Sequence, residues 1–123
     1  MKKSQKDTAV NAIAIGRMAV GAGAWLTPNL SGRLFGLDPE SNPQLPYVGR
    51  LFGARDVALG AGTLRSSRKQ RDLWLTASFA CDVADAAAGV IAGVRGQLPV
   101  SSAALVTATA GAFALAGVVL LQD

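Results

Sequence analysis

Asp82 and Asp85 stand three residues apart, and with Asp56, Arg17, Arg50 and Arg55 they interrupt stretches that are otherwise almost free of charge. Two carboxylates at that spacing share one helix face. They repel unless a cation lies between them, so one of the two is suited to hold a proton, which is the basis of acid–base work or of a proton relay. Arginine keeps its charge and presents a planar fork of donors that fits carboxylates and phosphates. Ionised groups at bilayer depth are costly unless paired, so a set of six marks a site.

The stretches that must carry these groups read as helices. Residues 8–26, 47–64, 73–94 and 100–121 are mostly apolar, and each approaches the length that crosses a roughly 30 Å hydrocarbon layer at about 1.5 Å per residue. Arg17 lies midway along the first, which argues against a cleavable signal core. Residues 27–46 hold Pro28, Pro39, Pro43 and Pro46, four of the five prolines, and read as a loop with one short interfacial turn at Leu30, Leu34, Phe35 and Leu37. Residues 65–72 read as a basic connector, and residues 95–99 as a tight turn. Trp25 and Trp74 suit the membrane interface.

Faces can be assigned within two of these stretches. Gly49, Gly53, Asp56, Gly60 and Thr63 follow each other by steps of four and three, so they form one stripe on a helix. Small residues at that spacing let a second backbone approach closely, and Asp56 is expected in a helix–helix contact. Ser78, Asp82, Asp85 and Gly89 make a second stripe, with Gly93 extending the small-residue pattern. The pentapeptide Gly32-Arg33-Leu34-Phe35-Gly36 recurs as Gly49-Arg50-Leu51-Phe52-Gly53. A single repeat establishes no repeat architecture.

Composition supports a membrane protein. Hydrophobic residues are 50% of the chain, aromatics 6% and charged residues 16%, against about a quarter charged in typical soluble domains. The net charge of +4 does not imply nucleic acid. Lys2, Lys3 and Lys6 form one basic group and Arg65, Arg68, Lys69 and Arg71 another. Both flank apolar runs instead of interleaving with aromatics, so anionic headgroups fit them better. With four spans, those seven share a side against Arg33 and Arg95 opposite, which places both termini in the cytoplasm. Cys81 is alone and reads as a small buried residue. Histidine is absent, which removes its metal-ligand and acid–base roles. Neither a metal centre nor a cofactor is expected.

Four functional readings follow from the charged set. It fixes helix register as an ion-pair network, or its arginines recognise a polar lipid-like group, or its carboxylates move protons or ions. The fourth is a membrane enzyme on a lipid or isoprenoid-like substrate, with Asp82 and Asp85 as acid and base and Asp56 in support. The pattern Arg-Leu-Phe-Gly-Ala-Arg-Asp (50–56), a basic turn and Asp-Val-Ala-Asp-Ala (82–86) resembles a family of small bacterial four-span membrane proteins of unknown function. That resemblance implies a four-helix membrane fold and marks Arg50, Arg55, Asp56, Asp82 and Asp85 as motif positions.

The expectation is therefore an all-α membrane protein. It is a single four-transmembrane-helix bundle over residues 1–123, in the inner cell membrane with both termini inside. Its partners are the bilayer, a polar lipid, and a larger membrane complex or further copies of itself. The small-residue faces (Gly49, Gly53 and Gly60; Gly89 and Gly93) provide the packing. Its role is that of a binding, accessory or structural component.

Overall fold

A computed structural model describes residues 1–122, and among these the chain is helical with no strand. Five helices follow in order: α1 (Lys3–Leu26), α2 (Pro28–Leu34), α3 (Leu45–Arg65), α4 (Arg68–Val94) and α5 (Val100–Gln122). They fall into two compact units, residues 1–74 and residues 75–122.

In the first unit, α1 starts at Lys3, five residues ahead of the apolar stretch 8–26. The Gln5 side chain accepts a hydrogen bond from the Lys2 amide (3.1 Å) and holds the first turn. The helix ends at Thr27, whose amide and hydroxyl both reach the Gly23 carbonyl at 2.8 Å. Pro28 enforces that end by excluding the helical conformation at the residue before it. It then opens α2 at a position where its missing N–H is no loss.

Residues 27–46 are thus not wholly a loop, because α2 occupies the first part. Its end is closed by Gly36 at φ 79°. The Leu37 amide bonds to the Gly32 carbonyl (2.9 Å) and the Gly36 amide to the Arg33 carbonyl (2.9 Å). That pair of bonds is the Schellman closure, which requires a left-handed residue.

The basic stretch 65–72 is also shorter as a connector than its composition implies. Only Ser66 and Ser67 separate α3 from α4, and the Ser67 carbonyl accepts from the Gln70 and Arg71 amides (3.0 and 2.9 Å). Arg68, Lys69 and Arg71 are good helix formers and lie in the first turns of α4.

The second unit contains most of α4 and all of α5. The turn at 95–99 has Gly96 at φ 69°, and the Gln97 amide closes on the Ala92 carbonyl at 2.8 Å. The two helices run back along each other: a Cβ built at Gly93 would lie 2.8 Å from Ala103 Cβ, and one at Gly117 would lie 3.5 Å from Phe79 Cβ.

Three helices, α1, α4 and α5, are long and apolar enough to cross a membrane. Of the four spans expected from sequence, α3 is the one not among these three. Residues 47–64 are helical within α3, but α3 carries Arg50, Arg55, Asp56 and Arg65, which lower its apolar character below that of the other three.

Candidate functional site

The site is built where α1 and α3 cross. The face that α1 buries is Val10, Ala14, Arg17, Gly21 and Ala24. The face that α3 buries is Gly53, Asp56, Leu59, Gly60 and Thr63. The two run antiparallel. A Cβ at Gly60 would meet Met18 and, at 2.6 Å, the Ala14 carbonyl. One at Gly21 would meet the Gly53 carbonyl (2.6 Å), the Val57 amide (2.9 Å) and Asp56 Cβ (3.0 Å). One at Gly49 would lie 3.0 Å from Pro28 Cβ. Most of these neighbours are backbone, so the helices approach closely because neither has a side chain in the way.

That close approach sets Arg17 and Asp56 against each other. Both are 5% exposed, with Arg17 Nη1 3.6 Å from Asp56 Oδ1. Arg55 Nη2 donates to the same oxygen at 3.3 Å, and its guanidinium stacks over Phe52, 5.0 Å from the ring centroid. Two guanidiniums thus converge on one carboxylate oxygen, an arrangement that fixes both arginine forks. Two turns further along the stripe, Thr63 satisfies its buried hydroxyl by donating to the Leu59 carbonyl at 2.8 Å.

Arg50 occupies a different place. It lies at the C-terminal end of α1, where its Nε donates to the Trp25 carbonyl (3.1 Å) and its guanidinium lies 5.3 Å from the centroid of the Trp25 ring. A carbonyl in the last turn of a helix lacks an intrahelical donor and sits at the negative end of the helix dipole. Arg50 answers both, and thereby ties the entry of α3 to the exit of α1.

In the second unit, Ser78, Asp82 and Gly89 are buried on one face of α4 together with Leu75. Asp82 is 4% exposed, and Asp85 on the same stripe is half-buried. Val83, Val90 and Ile91 point outward. A Cβ at Gly89 would lie 2.6 Å from Thr107 Oγ1, so Gly89 and Gly93 both admit α5. The Ser78 and Ser102 hydroxyls are buried with no hydrogen-bond partner among the described residues. Among those residues, no three His, Cys, Asp or Glu side chains gather as a metal-binding group.

Three participants are missing from the sequence reading. Gly21 is the counterpart of Gly53, and the run Ala14, Arg17, Gly21, Ala24 already shows the same four-and-three spacing as the stripe on α3. Trp25 partners Arg50 through a backbone carbonyl, for which side-chain types give no signal. Asp7 is a third case. It accepts a hydrogen bond from Arg71 Nη1 at 2.7 Å, and Arg68 Nη2 lies 3.7 Å away. The start of α1 is thus joined to the start of α4.

No family model, curated protein or solved structure matches the chain.

Proposed function

We propose that this chain is a small integral membrane protein of four spans with both termini in the cytoplasm. It acts as a binding or accessory component whose Arg17–Asp56–Arg55 cluster fixes the pairing of its helices. The observation that carries this reading is the position of Asp56: at 5% exposure it sits between two arginines, at the point where Gly21 and Gly53 bring α1 and α3 together.

A buried ion pair is weak evidence for raw stability, but it is well suited to selecting one register among several. Sliding α3 by one residue rotates Asp56 about 100° away from Arg17 and replaces glycine by a side chain at the crossing. Pairing also supports a fourth span. The charges that keep α3 from qualifying as a span alone are offset when Asp56 lies against Arg17, so α3 enters the bilayer with α1 and not by itself. The bond from Asp7 to Arg71 supports a common side for the N-terminus and the α3–α4 junction, and their basic residues put that side in the cytoplasm. The likeness of residues 50–56 and 82–86 to small bacterial four-span proteins belongs to the same proposal, as does an inner-membrane location.

The test is thermal unfolding of purified protein in detergent. Asp56→Asn should lower the midpoint sharply, and the exchange Arg17→Asp with Asp56→Arg should recover part of it. An Asp56→Asn protein as stable as the parent would overturn the structural role. If that protein kept its stability but lost co-purifying lipid, the cluster would instead be a recognition site.

A further inference from the structure

Helix α2 packs at the end of the first unit where α1 leaves and α3 enters. Its inner side rests on both helices, with Pro28 and Gly32 buried. A Cβ at Gly32 would meet the Leu45 side chain, and one at Gly23 would lie 3.9 Å from Ser31 Oγ. The outer side is divided lengthwise. Leu30 and Leu34 follow each other by four residues and form one exposed stripe, Leu34 at 72%. Asn29 and Arg33 form a second exposed stripe, roughly 100° around the helix. Phe35 and Leu37, which the sequence groups with these leucines, are half-buried.

The same end presents aromatic rings. Trp25 and Tyr47 are exposed, as is Leu26 beside Trp25. The antiparallel crossing brings the two rings to one level, because Gly49 lies against Pro28 and the Ala24 carbonyl. Trp74 marks the opposite end of α3, where its ring packs on Gly62. Along α1, the rise from Asp7 to Trp25 is about 27 Å, close to the roughly 30 Å of a hydrocarbon layer.

We propose that α2 is an interfacial helix seated in the lipid leaflet opposite the Asp7–Arg71 end, with Leu30 and Leu34 among acyl chains and Asn29 and Arg33 among headgroups. The proposal rests on the membrane reading above. A helix whose exposed side is half apolar and half polar matches the boundary between hydrocarbon and water. Rings at the same level match it too. Lipid suits this surface better than protein does. Two leucines fall far short of the roughly 800 Å² a side that a stable protein interface buries, whereas a lipid layer continues past them over Leu26 and Tyr47. Anchoring of α2 fixes the depth of the α1–α3 pair, and with it the depth of Arg17 and Asp56.

The experiment places the full chain in phosphatidylcholine vesicles whose lipids carry bromine either near the top or near the foot of the acyl chains. Bromine quenches indole fluorescence on contact. In a Trp25→Phe and Trp74→Phe background, Leu34→Trp supplies one reporter, and Leu115→Trp, at an exposed position of α5, a second. The Leu34→Trp indole should be quenched several-fold more by top bromine than by foot bromine. The Leu115→Trp indole should show the reverse order. Adding Leu30→Asp should lower quenching of the Leu34→Trp indole several-fold and leave the α5 reporter unchanged.

An unquenched Leu34→Trp indole beside a quenched Leu115→Trp indole overturns the proposal and leaves the membrane reading standing. Stronger quenching by foot bromine at Leu34→Trp also overturns it, since α2 would then lie deep in the layer. Shielding that disappears when the protein is diluted into excess lipid overturns it as well, because a second copy would be the occupant. No quenching of either reporter by either lipid overturns both readings.

Discussion

The same five residues, Gly-Arg-Leu-Phe-Gly, build two different structures in this protein. At 32–36 they end a helix: Gly36 takes φ 79°, and the chain turns away through Leu37. At 49–53 they run through the first half of α3, where Gly53 is helical and buried against Gly21 and Trp25. The flanks decide between them. Asp38-Pro39 follows the first copy closely, and proline disfavours helix at the residue before it. Ala54-Arg55-Asp56-Val57-Ala58-Leu59 follows the second, with no breaker and an apolar face to bury. The arginines diverge likewise, since Arg33 is exposed whereas Arg50 holds the Trp25 carbonyl. A glycine here has no fixed meaning until its φ and its neighbour are known.

The sharpest way to break the comparison is through the acid that follows each copy. Asp56 is buried between two guanidiniums, and Asp38 is exposed with only local donors. Asp56→Asn should destabilise by about 3–5 kcal/mol, because it leaves Arg17 buried opposite a neutral group. Asp38→Asn should stay within about 0.5 kcal/mol, as surface changes do. Unfolding of both variants in detergent measures the gap, and equal effects would mean the α1–α3 crossing is not what holds this unit.

The glycines give the next largest effects. At Gly53 an added Cβ would lie 2.8 Å from the Trp25 amide and closer still to the Gly21 carbonyl. Backbone cannot swing aside, so Gly53→Ala should cost about 1–3 kcal/mol through separation of the helices. At Gly36 the obstacle is conformational. Gly36→Ala should cost about 1 kcal/mol for the left-handed backbone. Gly32→Ala should cost less, because the atoms it meets belong to the flexible Leu45 side chain. The order Gly53, Gly36, Gly32 is the prediction, and a larger effect at Gly32 than at Gly53 would reverse the roles assigned to the two copies.

The arginines come third. Arg50→Ala removes a charged hydrogen bond to the end of α1 and a ring contact with Trp25, and should cost about 1 kcal/mol. Arg33→Ala should be nearly silent.

The contrast also marks how far the sequence alone could be read. Helical class, the break at Pro28, the turn around Gly96 and the buried stripe on α3 all follow from period and punctuation. Those signals are local, and each residue carries its own. The partner of a stripe is not local. Asp56 announces a helix–helix contact, but the spacing on α3 cannot say whether α1 or α4 answers it. The same holds for Asp7 and Arg71, whose meeting depends on two helix ends arriving together. Charge misled in one respect, because Arg68, Lys69 and Arg71 look like a solvated linker yet are helical. Their long aliphatic stems favour helix, and their charged heads need only lie outside the apolar layer. α3 differs again: it has a span's length and packing face, but its buried charges lower its apolar character. Helicity follows from the pattern there, whereas composition alone does not mark the helix as a span.

The smallest effect separates the two acids by pH. The Asp38 carboxylate accepts hydrogen bonds from the Ser41 hydroxyl (2.7 Å) and the Glu40 amide (3.1 Å). The Ser41 bond first, then the Glu40 amide, holds its carboxyl below the usual 3.8. Its folded-state value is therefore the lower one, so its stabilising contribution is present above 3.8 and is lost as the pH falls through the folded value. A parent protein titrated from neutral pH downward should show no change from this group until the pH falls below 3.8, toward the folded value. There it should lose a small increment, and Asp38→Asn should remove that acid-side step while leaving neutral-pH stability nearly unchanged. Ser41→Ala deletes the leading donor and should move the step upward toward 3.8. A step that persists in Asp38→Asn belongs to another carboxylate, and the loop after the first pentapeptide would then contribute nothing to the acid response.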